Sequence, residues 1–133
     1  MIAFLDTNFL VRFLTGEPSQ FAKISAEVLE SEQPLVIPDT ALVEAVHVMD
    51  SVYQLQREII ADHFIRLLQK ENISIFGLNK GFVVQGLMMC RPSGRVSFAD
   101  ALIWAAARSA GADVIYSFDE RFPSEGIELK KSL

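Results

Sequence analysis

Short apolar segments alternate with longer stretches of helical periodicity along the chain, and this alternation limits the possible folds more than any other feature. Five such segments are present, at 2–5, 35–37, 73–76, 114–116 and 127–129. Strands that are separated by helices pair in parallel, because each crossover returns the chain to the same end of the sheet. The sequence therefore predicts an α/β fold, a three-layer α/β/α domain with a mainly parallel central sheet of four to five strands.

Glycine, proline and capping residues mark the predicted helix ends. Gly16 ends the first helix, and a second helix places Phe21, Ile24, Val28 and Leu29 on one apolar face. The six predicted helices cover 7–14, Pro18 through Leu29, Asp39 or Thr40 past Met49, 56–71, 80–89 and about 98–110.

The size of the chain, 133 residues, fits one domain over 1–133, and no internal repeat or linker interrupts it. Cys90 is the only cysteine, and His47 and His63 are the only histidines. A disulfide framework and a zinc cluster of thiolates within one chain are therefore excluded. We expect a protein of the reducing cytoplasm.

Charge and hydropathy restrict the possible partners. No segment has the roughly 18 uninterrupted apolar residues of a membrane span, and no basic region precedes the apolar N-terminal residues, so we expect neither export nor membrane insertion. The net charge of −5 gives no overall positive potential, so cations must help to bind any phosphate substrate. Hydrophobic residues make up 50% of the chain, which indicates either an apolar core or a surface covered by a partner or a second copy.

Two acids directly follow predicted strands. Asp6 comes after the segment 2–5, and Asp119 lies a few residues after the segment 114–116. Since the carboxyl ends of parallel strands meet at one edge of a sheet, we expect both acids at that edge. Each acid alone also fits a turn or a helix cap.

Glu44 and Asp100 lie on predicted helices. Glu44 is surrounded by apolar residues in Ala-Leu-Val-Glu-Ala-Val, where a buried carboxylate needs a partner or a metal. A narrow solvated stripe with His47 is the alternative. Asp100 follows Ser97 at the spacing of a capping box, which is compatible with a second role facing a cation. Asp39 is a further acid after a strand, and helix capping is its favoured role.

Carboxylates that converge repel one another by roughly 4 kcal/mol per pair at about 4 Å and an effective dielectric of about 20. Such a group of acids favours a bound cation. Oxygen ligands without cysteine suit Mg²⁺ or Mn²⁺, which take up substrate phosphate oxygens and activate water.

Four parts of the sequence together resemble the PIN-domain family, and in particular the VapC-type toxin nucleases of toxin–antitoxin pairs. They are Asp6-Thr7-Asn8 after the first strand, Glu44 in the third helix, 98–102 opening a late helix, and Ser117-Phe118-Asp119 after a late strand. The resemblance covers essentially the whole chain. It implies a PIN-like fold, Mg²⁺- or Mn²⁺-dependent cleavage of RNA, a homodimer, and inhibition by a small antitoxin protein.

The resemblance also implies roles for individual residues. It assigns metal binding to Asp6, Glu44, Asp100 and Asp119. It assigns orientation of a ligand or of the attacking water to Thr7 or Asn8 and to Ser117. Contacts with RNA phosphates are predicted for Arg91, Arg95 or Arg121, with ordinary solvated surface charge as the alternative. The apolar faces with Phe9, Phe13 and Phe21, and with Leu87 and Met88, are candidates for dimer or antitoxin contact, and core packing is the favoured alternative for most of these residues.

Two other functions remain open at this point. A haloacid-dehalogenase-like phosphatase or phosphotransfer domain would use Asp6 as nucleophile, but it would normally carry a second Asp where Asn8 stands. A non-catalytic PIN-fold protein-binding module would keep the fold only. This alternative does not explain why four acids that repel one another are present.

Overall fold

The computed structural model describes residues 1–133 as six helices and five strands, in which two helices follow each of the first three strands and the last two strands are consecutive. The strands are β1 (Ala3–Phe4), β2 (Leu35–Pro38), β3 (Ile73–Phe76), β4 (Val114–Tyr116) and β5 (Glu128–Lys130). The helices are α1 (Thr7–Thr15), α2 (Ser19–Leu29), α3 (Asp39–Ser51), α4 (Arg57–Leu68), α5 (Lys80–Cys90) and α6 (Phe98–Ala110).

All strand pairs are parallel, which confirms the predicted α/β class. β2 lies between β1 and β3, with Leu35 opposite Ala3 on one side and opposite Ile73 on the other. β4 pairs only with β5, in a second sheet of two strands. The five predicted strands are thus present, but they divide between two sheets. The apolar pattern could not predict this division, because it specifies which face of a strand is buried and not which strand is its neighbour.

Most helix boundaries agree with the sequence prediction. Gly16 ends α1 in the left-handed conformation at φ 73°, which glycine adopts without strain. Two differences concern α2 and α4. The side chains of Phe21 and Ile24 are exposed, although they were predicted on the apolar face of α2. α4 ends at Leu68, before the predicted end at 71, because the chain turns there into β3.

The core lies between the helices and one face of the three-stranded sheet. Leu35 and Ile73 are buried on that face. On the opposite face the rings of Phe4 and Phe76 contact each other at 5.8 Å between centroids, and they stay 58% and 61% exposed. Each strand therefore has one face in the core and one face partly in solvent.

Close packing of α5 against α6 fixes the position of the last long helix. A Cβ added at Gly86 would lie 2.9 Å from the backbone oxygen of Ala101, so only glycine allows this approach. Trp104 is 1% exposed, and its indole donates a hydrogen bond to the backbone oxygen of Glu125 at 2.9 Å. None of the helices combines the length and the apolar character that crossing a membrane requires.

Candidate active site

Thr7 forms hydrogen bonds with both Asp6 and Glu44. Asp6 caps α1, and its Oδ1 accepts a hydrogen bond from the backbone N–H of Thr7 at 2.8 Å. The Thr7 side chain is buried, and its hydroxyl donates to Oε2 of Glu44 at 3.4 Å. Residues 37 positions apart are joined in this way at the carboxyl end of β1. The carboxylates of Asp6 and Glu44 themselves face solvent.

Asn8 does not share this position. It lines a separate cavity of about 260 Å³ between α1 and α2, beside Arg12 and Phe21. Of the two polar residues that follow Asp6, Thr7 is therefore the one that contacts an acid of the candidate site. The sequence left this choice open, and the helical rotation of α1 decides it.

Asp100 lies in the first turn of α6 and is partly buried. Its backbone N–H donates to the hydroxyl of Ser97 at 3.0 Å, so Ser97 caps α6 as predicted. The capping role leaves the carboxylate of Asp100 available for a second contact, since the cap uses the backbone N–H.

Asp119 lies in a tight turn after β4 and is exposed. Its Oδ1 accepts from the backbone N–H of Arg121 at 2.8 Å and lies 3.6 Å from Nε of the same arginine. The hydroxyl of Ser117 accepts from the backbone N–H of Asp119 at 3.1 Å. Ser117 thus orders the turn that presents Asp119.

A cavity of about 590 Å³ lies between α3 and α6 with Glu44 on its border. Its polar residues are Asp39, Thr40, Glu44 and His47, and its walls are mostly apolar. Asp39 is the first residue of α3 after the N-cap Pro38, which has no side-chain cap, so the predicted capping role of Asp39 was wrong. Asp39 Oδ1 accepts from the backbone N–H of Thr40 at 2.8 Å within the first turn. The sequence analysis did not predict that residues of α6 line a cavity. Ile103, one of these residues, is 52% exposed.

The three candidate arginines differ in their partners. Arg91 forms two hydrogen bonds with the carboxylate of Asp62, at 2.7 and 3.0 Å. Through this contact Arg91 lowers the pKa of Asp62, and Asp62 raises the pKa of Arg91. Arg121 pairs with Asp119. Arg95 is exposed and has no carboxylate partner, so it is the one of the three whose charge is free for a ligand.

The chemistry of the four acids fits a hard divalent cation, but their spacing in the structure does not complete a site. No three acidic, histidine or cysteine side chains lie close enough together to hold one metal ion. The structure joins Thr7, the neighbour of Asp6, to Glu44, while Asp119 follows a strand of the separate two-stranded sheet. A cation shared by all four acids therefore stays a prediction.

Fold and site together describe a parallel α/β domain with acids after its strands and at its helix starts. The family model of the PIN domain matches residues 3–125, a range that includes all four acids. The chain therefore belongs to the PIN domain family, and PIN domains are typically nucleases. A comparison with curated proteins finds none that matches this chain.

Proposed function

We propose that this protein is a metal-dependent endoribonuclease that hydrolyses RNA phosphodiester bonds and leaves a 5′-phosphate. The hydrogen bond from Thr7 to Glu44 carries the proposal, because it brings the residue next to Asp6 into contact with an acid on α3. Glu44 lies with His47 on the exposed stripe of α3, so its carboxylate is open to a ligand and burial supplies no argument for a cation. Membership of the PIN domain family supplies the reaction class.

In this proposal Asp6, Glu44, Asp100 and Asp119 hold Mg²⁺ or Mn²⁺. A bound cation of this kind neutralises phosphate charge and lowers the pKa of water. Thr7 holds Glu44 in place, and Ser117 orders the turn of Asp119. Asn8, which was predicted as an alternative to Thr7 in orienting a ligand, lines the α1–α2 cavity.

We extend the proposal to a toxin of a toxin–antitoxin pair that acts in the cytoplasm, forms a homodimer and binds a small antitoxin. Its support is the resemblance of the acid motifs together with exposed apolar residues. Phe21 and Met88 are half-exposed and remain candidates for a protein contact. Leu87 is fully buried, which confirms the favoured alternative of core packing and removes Leu87 from the candidates for a protein contact. It is a core residue because it faces inward on α5.

Cleavage of defined RNAs with Mg²⁺ or Mn²⁺, and with a chelator, tests the nuclease. We expect cleavage only with the cation. Asp100→Asn should lower kcat/KM by more than about 100-fold, because it removes one charge from the site. Circular dichroism of the variant should stay that of the wild type. Equal cleavage in chelator would contradict metal dependence, and a covalent phosphate on Asp6 without RNA cleavage would favour the phosphatase.

Growth of a bacterial host tests the toxin role separately. Induction of the wild-type chain should stop growth, and Asp100→Asn should not. A short reading frame directly upstream, when co-expressed, should restore growth. An active nuclease that leaves growth unchanged would remove the toxin role and keep the reaction.

A further inference from the structure

The loop 91–97, which connects α5 to α6, decides where α6 begins and so where Asp100 lies. The loop forms no strand or helix of its own. Its position comes instead from side chains of α4, a helix that lies earlier in the chain. Two arginine contacts join the loop to this helix, one near each of its ends.

Arg57, the first residue of α4, contacts both ends of the loop. Its Nη1 donates to the backbone oxygen of Val96 at 3.0 Å and to that of Cys90 at 3.4 Å. Its guanidinium carbon lies 4.9 Å from the centre of the Phe98 ring. Phe98 is buried and is the first residue of α6. One guanidinium thus fixes the end of α5, the end of the loop and the start of α6.

Other contacts make the loop rigid. Arg91 binds Asp62 of α4 through two hydrogen bonds. The thiol of Cys90 donates to the backbone oxygen of Ser97 at 3.5 Å, and burial raises the pKa of this thiol to about 11, so it keeps its proton. Ser97, the N-cap of α6, is therefore held by Cys90, whose own backbone oxygen accepts a hydrogen bond from Arg57.

Arg57 has no carboxylate within ion-pair distance. Its donors go to carbonyl oxygens and its planar face goes to an aromatic ring, a combination that the guanidinium geometry allows and an ammonium does not. We infer that Arg57 is a positioning residue, which acts on the reaction by fixing the first turn of α6 and with it the carboxylate of Asp100. This inference rests on the proposed nuclease function.

A displacement of a reacting group by about 1 Å can lower a rate by roughly 100-fold. Arg57→Ala should therefore lower kcat by about 10- to 100-fold, with KM changed by less than about twofold. Arg57→Lys keeps the charge but loses the forked geometry, and its kcat should fall between those of wild type and Arg57→Ala. Arg66→Ala, an exposed change on the same helix, is the matched control and should leave both constants unchanged.

A double-mutant cycle separates positioning from a general loss of structure. If Arg57 acts through Asp100, Arg57→Ala should have less than about a threefold effect once Asp100→Asn is present. An equal loss of kcat in both backgrounds would overturn the inference. A rise in KM at constant kcat that disappears at high salt would also overturn it, because Arg57 would then bind RNA directly.

Hydrogen exchange tests the same inference without any activity. Arg57→Ala should speed amide exchange over 92–101 and leave 117–122 unchanged, and unchanged exchange over 92–101 would overturn the inference. If Arg57→Ala does not fold, Arg57→Lys carries the same comparison. A wild-type protein that cuts no RNA would defeat the proposed function, while the exchange result would still show whether Arg57 positions the start of α6.

Discussion

Asp100 and Asp119 are the two late acids of the candidate site, and the structure holds them in different ways. The loop before Asp100 is attached to α4 by residues 29 to 39 positions away in the sequence. Asp119 takes its hydrogen bonds and its ion pair from residues 117–122 alone. One acid depends on tertiary contacts, and the other depends on a local turn.

The positions of the two acids should therefore respond to different mutations. A change on α4 or in the core under α6 can move Asp100 without touching it. The turn of Asp119 depends mainly on its own hydrogen bonds, and its contacts outside the turn are the backbone hydrogen bond from Ser117 to Lys130 of β5 and the exposed ion pair of Glu120 with Lys131. The following four changes test this contrast, from the largest expected effect to the smallest.

Phe98→Ala should have the largest effect. The ring is buried and lies under the guanidinium of Arg57, so its loss should lower the free energy of unfolding by about 3 kcal/mol or more. Urea denaturation measures this change. Phe118→Ala, beside Asp119, removes a ring that is 86% exposed and should cost within about 0.5 kcal/mol. Equal losses for the two phenylalanines would remove the contrast.

Gly86→Ala should disturb α6 from its other side. The added methyl group meets the backbone oxygen of Ala101 at 2.9 Å, and backbone cannot move aside as a flexible side chain can. We expect a loss of about 2 kcal/mol in thermal or urea unfolding. Gly81→Ala in the same helix meets only the side chain of Asn79 and should change stability within about 1 kcal/mol. A neutral Gly86→Ala would show that α5 does not fix α6.

Two serines allow a direct comparison of the two acids. Ser97 caps a long helix, and Ser97→Ala should cost about 1 kcal/mol. Ser117 accepts a similar hydrogen bond in an exposed turn, and Ser117→Ala should cost less than about 0.5 kcal/mol. Differential scanning calorimetry of both variants suffices. A larger loss for Ser117→Ala would reverse the order that the structure indicates.

Asp62→Asn should have the smallest effect on stability, and that effect should depend on pH. The hydrogen bond from Arg91 lowers the pKa of Asp62 below its ordinary value of 3.8. A carboxylate with a lowered pKa stabilises the fold above the ordinary value, and this contribution disappears as the pH falls through the lowered pKa. The urea midpoints of wild type and Asp62→Asn should therefore differ at neutral pH and converge in acid.

Salt provides a check on the Asp62 result, because both partners are partly exposed and their attraction is screened. The difference in urea midpoint between wild type and Asp62→Asn should decrease at high salt. Glu120→Gln is the counterpart near Asp119, since Lys131 lowers the pKa of Glu120 by a hydrogen bond. The difference in urea midpoint between wild type and Glu120→Gln should also disappear in acid. Amide exchange over 91–97 should not change in this variant. A difference in urea midpoint between wild type and Asp62→Asn that persists in acid would contradict the role of the ion pair.

Much of the fold was predictable from local patterns. Gly16 and Gly111 mark the ends of two helices, and Ser97 with Asp100 marks the start of another, as the structure confirms. The same reasoning identified the acid motifs of a PIN domain. It did not predict that Thr7 contacts Glu44 or that Arg57 holds the start of α6, since neither residue carries a local signal of its distant partner.

The sequence by itself determined the helices and strands, their parallel arrangement, and the order of the acids along the chain. These follow from side-chain periodicity, capping and chain reversal, which act over a few residues. Only the tertiary structure decided that the strands form two sheets, that Leu87 is buried while Phe21 is not, and that Thr7 contacts Glu44. The physical reason is that these features depend on which surfaces meet, and many distant residues share in that choice.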